Sequence, residues 1–186
     1  MEKDKIEYAI YFATKAHKGQ RRKIEDVDMI FHPFTVGMLL QRNNCDEDIV
    51  TAGILHDVVE DTVYTFDDIK KEFGEKVMEY VYDASEPDKS LEWEERKEHT
   101  IEHIKNAPLG SKLIVASDKI SNLEDLYEKI QIYGEEKAYS ALKKGKEKQK
   151  WYYCSVYESC IWGENENHPI FKRYKKILTK LFDYGK

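Results

Sequence analysis

Apolar residues recur three and four positions apart along almost the whole chain, the period of helices that bury one face. Ile6, Ala9, Ile10, Ala13 and Ala16 predict a first helix, which Gly19 ends; a polar stretch from Gln20 to Met29 follows. His32-Pro33 opens a second helix, proline being tolerated in a first turn, with Val36, Leu39 and Leu40 on its buried face. After a turn at Asn43-Asn44, Asp46 is a plausible N-cap for the helix carrying Ile49, Ala52, Ile54, Leu55 and Val58. Thr65 with Asp67 and Asp68 marks another start, and the stripe from Phe66 to Val81 crosses Gly74 as two helices or one kinked helix. Pro87 marks a loop. Trp93 to Asn106 and Lys112 to Ile130 read as helices, Gly134 breaks the second, and Glu135 to Ile161 and Pro169 to Tyr184 complete the bundle. No segment reads as a strand, a repeat or a low-complexity linker. The expected class is all-α, a single domain over residues 1–186, with C-terminal helices 135–184 packed on it.

Composition narrows the possibilities. With 41% hydrophobic and 35% charged residues, four prolines and nine glycines, the chain is neither disordered nor collagen-like. It contains no apolar run of about 20 residues, so no membrane span is expected. The first residues are charged and lack a signal-peptide stretch, and three cysteines (Cys45, Cys154, Cys160) cannot all pair, so a cytoplasmic location is expected. The net charge of -6 argues against a nucleic-acid polymer as partner. That charge is uneven: residues 1–100 hold 14 basic against 24 acidic side chains, residues 101–186 hold 16 against 12.

The densest polar cluster is GILHDVVEDT, residues 53–62, where His56, Asp57, Glu60 and Asp61 stand among strongly apolar neighbours. On one continuous helix His56 would lie below Glu60 and Asp57 below Asp61. Burying so many ionisable groups is costly unless something compensates, and a divalent cation would do so. Charged helix ends with local ion pairs are common, but two further residues argue for a site. His32 opens its own helix. Asp118 interrupts the mostly apolar stretch Leu113 to Ile120, so it faces inward and asks for a partner, with Asn122 one turn above it. His32, His56, Asp57 and Asp118 make a mixed nitrogen and oxygen set suited to Mn²⁺, Fe²⁺ or Zn²⁺.

At these residues the chain resembles a family. The order H…HD…D is the signature of HD-domain metal-dependent phosphohydrolases. AHKGQRRK, FHPFTVGMLL, GILHDVVEDT and ASDKISNL, with DKSLEWEERKEHTIEHI between the last two, are similar to the hydrolase domain of the RelA/SpoT alarmone enzymes over residues 5–130. The single-domain members are small alarmone hydrolases. The resemblance implies an HD-type helical bundle holding one divalent metal, usually Mn²⁺, on His32, His56, Asp57 and Asp118. It further implies Glu60 and Asp61 as the pair that orients or deprotonates water, Arg22 and Lys23 beside the pyrophosphate, and Asn122 beside the nucleotide. The implied reaction is hydrolysis of the 3′-pyrophosphate of ppGpp or pppGpp, a small anionic nucleotide. Animal relatives also remove a phosphate from NADPH; a nucleotidase and a nonhydrolytic nucleotide sensor are the other readings of the same scaffold.

Other polar residues stand at the margin. Lys119 and Ser121 flank Asp118 and either line the pocket or face solvent, and Lys119 is carried as a substrate-binding candidate. Arg96 and Lys97 lie in the segment that the resemblance places near the nucleotide. His99 and His103 share a helix face, but no carboxylate completes a site there, so both are read as exposed; His17 is read as structural. The lysine run 143–150 reads as a solvated face or a rim attracting anions, and WYYCSVYESC as core, with Trp151, Tyr152 and Val156 burying large areas; stacking of a base on its aromatics is the other reading. Two features depart from the family pattern: Glu124, where many relatives carry arginine, and the acidic loop Ile24 to Ile30. Either is expected to shift the nucleotide accepted. Oligomeric state is not legible.

Overall fold

The computed structural model describes residues 4–22, 27–86, 90–140, 142–164 and 166–185. Lys23, Glu25, Asp26 and Pro87 lie outside the described residues. The helices run in the order α1 (Lys5–Ala16), α2 (Phe31–Arg42), α3 (Glu47–Leu55), α4 (Val58–Asp61), α5 (Phe66–Phe73), α6 (Glu75–Ala84), α7 (Trp93–Asn106), α8 (Leu109–Tyr133), α9 (Glu135–Ser140), α10 (Lys146–Ile161) and α11 (Pro169–Phe182). Among the described residues the extended pairing is one isolated bridge, Arg21 with Asp28. The all-α reading holds, and the helices share one apolar core.

Helix α8 is the axis. Its run from Gly110 to Ser121 is buried throughout, and it packs against α2, α3, α6, α10 and α11. Leu113, Ile114, Ile120 and Leu123 face the surrounding helices at 0 to 4% exposure, so Asp118 and Lys119 between them have nowhere to go but inward. No helix of the described residues is long and apolar enough to cross a membrane.

Two glycines set how closely α2 and α3 cross. A Cβ on Gly37 would stand 2.4 Å from Ile54 Cγ1, and one on Gly53 2.3 Å from Leu40 Cδ1. Both neighbours are core side chains, so only glycine permits this separation. The close crossing brings the start of α2 beside the end of α3.

Local signals account for most boundaries. The Asp4 carboxylate accepts from the Ile6 and Glu7 amides at the start of α1. Thr65 and Asp68 form a capping box on α5. The stripe across Gly74 is two helices, and α7 spans Trp93–Asn106 as its periodicity predicts. Asp46 is the N-cap of α3 but makes no side-chain capping bond. One element departs from expectation. GILHDVVEDT is not one helix: α3 stops at Leu55, His56 and Asp57 form a turn, and α4 restarts at Val58. The His56 ring N–H takes the Gly53 carbonyl, which a continuing helix would offer to the Asp57 amide.

Candidate active site

His32 stands in the first turn of α2, His56 and Asp57 in the turn after α3, and Asp118 midway along α8. The two Nε2 atoms converge on the carboxylates. His32 Nε2 lies 3.1 Å from Asp118 Oδ1 and 3.7 Å from Asp57 Oδ2; His56 Nε2 lies 3.2 Å from Asp57 Oδ1 and 3.9 Å from Asp118 Oδ1. The imidazoles meet edge to face at 5.2 Å. One ligand atom each from His32, His56 and Asp118 lies within 4.8 Å of the others, and all three residues are buried. Asp57, half-buried, closes the group on the cavity side. The structure therefore brings together all four predicted ligands.

The far nitrogens decide what the near ones offer. His56 Nδ1–H donates to the Gly53 carbonyl at 2.8 Å, which leaves a lone pair on Nε2. His32 Nδ1 is held by Ser121 Oγ at 3.0 Å. Ser121, left open in the sequence, is buried and supports the ring. The buried His56 Nε2 has no hydrogen-bond partner, an orphaned acceptor facing two carboxylates. Burial works against charging His56, yet Asp57, Asp118 and the Gly53 bond outweigh it and raise its pKa. The cluster thus draws positive charge to this point, and two imidazoles with two carboxylates suit a divalent cation. The residues fit a metal, and the His32, His56 and Asp118 group can bind one.

Glu60 and Asp61 sit one turn further on, at the cavity wall. Burial, reinforced by the Asp57 charge, raises the Glu60 carboxyl to about 7, although its Oε1 accepts the Glu86 amide at 2.8 Å. A carboxylate with that affinity for a proton can accept one near neutrality. Asp61 is more exposed; its carbonyl accepts from Gln20 Nε2 at 2.6 Å, and the Gln20 oxygen meets His17 Nδ1 at 2.8 Å. The structural role read for His17 is this tie between the first loop and α4.

The site floors a cavity of about 830 Å³. Arg22 lines it and is bonded to Asp125 at 3.0 Å and to the Asn122 oxygen at 3.4 Å. The Asn122 amide donates to Asp118 Oδ1 at 2.5 Å, so Arg22, Asn122 and Asp118 form one chain of contacts. Lys119 lines the pocket too, buried, with Nζ 2.6 Å from Asp118 Oδ2. Burial opposes its charge, but Asp118 raises its pKa well above the usual range, and Asp118 is correspondingly held well below its own.

Sequence reasoning missed several lining residues. Asp125 and Lys129, joined at 2.6 Å, continue the α8 face of Asp118 and Asn122 at helical spacing, a signal that was present in the sequence. Glu86 also lines the cavity and carried no such signal, whereas Trp93, Gln149 and Tyr153, which line it too, lie in the segments read as near the nucleotide, as an anion-attracting rim and as core aromatics. Tyr152, expected in the core, is buried and at the same time borders the pocket. Lys143, from the lysine run, reaches the rim. The expectation for His103 is corrected: Asp83 provides a carboxylate 2.9 Å from its Nε2, and the ring is half-buried, whereas His99 is exposed. Glu124 does not line the cavity; it makes a two-pronged pair with Arg173 of α11 at 2.8 and 2.6 Å. All three cysteines are free thiols.

This arrangement has relatives. The chain is 39% identical over 120 residues to the guanosine-3′,5′-bis(diphosphate) 3′-pyrophosphohydrolase MESH1 of Drosophila melanogaster, covering 63% of this chain and 66% of that protein. The human MESH1 is 39% identical over 118 residues, covering 62% and 65%. The chain thus spans just under two thirds of the length of these curated relatives. Among solved structures, a metazoan ortholog of SpoT that hydrolyses ppGpp superposes with a TM-score of 0.78 at 30% identity, covering 97% of both chains. A Listeria monocytogenes protein superposes with a TM-score of 0.76 at 36% identity, covering 82% of this chain and 99% of the other. The HD domain model matches residues 9–141, a span that contains both histidines and both aspartates of the cluster, and the chain belongs to the HD-domain family.

Proposed function

We propose that this chain is a metal-dependent hydrolase of the 3′-pyrophosphate of ppGpp and pppGpp. The observation that carries the reading is the convergence of His32 and His56 Nε2 on Asp57 and Asp118 at the floor of a cavity lined with arginine and lysine. The similarity to MESH1 and to the SpoT ortholog supports the substrate. His32, His56, Asp57 and Asp118 would hold the cation, with Mn²⁺ the expected occupant. When bound, that ion supplies Lewis-acid polarisation to a water and a phosphoryl oxygen.

The side chains supply the rest. Glu60, with its carboxyl near 7, accepts the proton of the attacking water, and Asp61 helps to hold that water in line. The bond between the ribose 3′ oxygen and phosphorus breaks; the water oxygen leaves in pyrophosphate, and the 3′ oxygen gains a proton to give GDP or GTP. Arg22, Lys23 and Lys119 neutralise the charge that develops on the phosphoryl oxygens, the planar arginine fork matching two of them. Asn122 touches the nucleotide while keeping Asp118 in place. A nucleotide substrate and three free thiols fit a cytoplasmic setting.

The test is product release from ppGpp, pppGpp, NADPH and nucleoside monophosphates by the Mn²⁺-loaded protein. Release of pyrophosphate from ppGpp, lost in Asp57→Ala and Glu60→Gln, is expected. Activity confined to NADPH or to monophosphates, or unchanged in both variants, would overturn the assignment.

A further inference from the structure

Glu86 follows α6 and directs its carboxylate at Arg96 and Lys97, one turn into α7. Its Oε2 accepts from Arg96 Nη1 at 2.6 Å, and its Oε1 accepts from Lys97 Nζ. The three side chains are only 11 to 14% exposed, and all line the cavity that holds the metal cluster. Burial works against charging Glu86, but Lys97, Lys119 and Arg96 together hold its carboxyl below the usual range.

One carboxylate does not satisfy this group. The Arg96 Nε–H is buried and has no partner. Burial and the Lys119 charge keep the Lys97 ammonium below its usual range even with Glu86 in contact. An arginine with an unused donor beside an under-neutralised ammonium, both residues lining the cavity, matches an anion with more charge and more oxygens than a carboxylate.

We propose that Glu86 is a built-in anion occupying a phosphate subsite formed by Arg96 and Lys97, which an incoming phosphate or pyrophosphate group displaces. Glu86 keeps the two cations in place and lowers their mutual repulsion in the unliganded protein. It therefore weakens binding of every anion, and a phosphate group, carrying more charge than a carboxylate, competes for the place better. The main-chain amide of Glu86 is bonded to Glu60, so its displacement is felt at the proton-accepting carboxylate. The inference rests on the phosphohydrolase reading for the kind of anion that arrives; the subsite itself is a property of these three side chains.

The experiment is calorimetric titration of the full chain with inorganic pyrophosphate, without added metal. Glu86→Gln is expected to bind it about fivefold more tightly than the unaltered protein, a gain of RT ln 5. Lys97→Met, alone or with Glu86→Gln, is expected to bind it more weakly than its parent. Equal or weaker binding by Glu86→Gln, or no binding by either protein, overturns the proposal. The unaltered chain gives a second reading, independent of whether the variant folds. Saturating pyrophosphate is expected to speed hydrogen exchange at the Glu86 amide as the segment lets go of Glu60, and unchanged exchange with pyrophosphate bound overturns the displacement. Because no turnover is measured, a failure of ppGpp hydrolysis alongside these binding results would sink the substrate assignment and leave the subsite standing.

Discussion

The Nδ1–H of His56 and the carbonyl oxygen of Gly53 are hydrogen-bonded at 2.8 Å. That bond ends α3, fixes the ring tautomer and points the bare Nε2 at Asp57 and Asp118. Gly53 is also one of the two glycines at which α3 and α2 pack tightly, here against Leu40. Gly53 therefore contributes both to the helix crossing, with Gly37, and to the orientation of a metal histidine. Gly53→Ala would place a methyl 2.3 Å from Leu40 Cδ1, a fully buried atom group with little room to yield. A loss of about 1–3 kcal/mol is expected from overpacking. Urea denaturation measures it; an unchanged midpoint would show that the crossing tolerates the methyl.

Metal binding should stabilise the folded chain in proportion to occupancy. At a free Mn²⁺ concentration of about 100 times Kd, linkage gives about 2.7 kcal/mol. The melting temperature is expected to rise with Mn²⁺ and to return on chelation. His56→Ala and Asp118→Asn should lose that response. A metal-dependent rise that survives in both variants would place the ion elsewhere.

Ser121 touches only the rear of a ligand, so its loss should weaken the metal without removing a donor. Ser121→Ala leaves His32 Nδ1 without its partner at 3.0 Å. An outer hydrogen bond of this kind carries about 10–100-fold in metal affinity. Competition against a chromogenic chelator reads the change directly, and an affinity equal to that of the unaltered protein would remove Ser121 from the site.

Glu60 gives the metal-free protein a distinctive pH dependence. Its carboxyl is raised from 4.5 to about 7 by burial first and the Asp57 charge second. The folded state then holds this proton more tightly than the unfolded state. The favourable contribution is fully present below the unfolded value of about 4.5 and is lost as pH rises to about 7, at most about 3 kcal/mol. Glu60→Gln keeps an oxygen for the Glu86 amide and removes the titration. Relative to the unaltered chain, the variant should gain stability at pH 8 over pH 5 in paired denaturation curves. Parallel curves at the two pH values would refute the raised carboxyl.

The Glu124–Arg173 pair lies outside the pocket and is partly exposed. Arg173→Ala should cost no more than about 1 kcal/mol, as surface pairs do. The KM for nucleotide is expected to stay within experimental error, whereas a severalfold change would connect Glu124 to the substrate after all.

Much of this molecule was legible one segment at a time. The three-and-four spacing of apolar residues determined the helical class and the bounds of α7, because burying one face is a local property of a helix. Asp118 was placed inward by its apolar neighbours alone, the donor chemistry of His32, His56, Asp57 and Asp118 suggested one metal set, and the resemblance then gave the same four residues. The break at His56-Asp57 was invisible, since it depends on a side chain competing for a main-chain carbonyl. Tertiary structure alone decided which charges meet. Glu124 pairs with α11, Asp83 with His103, Asp125 with Arg22, and Glu86 with Arg96 and Lys97, partners separated in sequence and brought within reach only by helix packing. The chain itself determined which groups are costly to bury; the packing of α2 and α3 against α8 decided which of them share the cost.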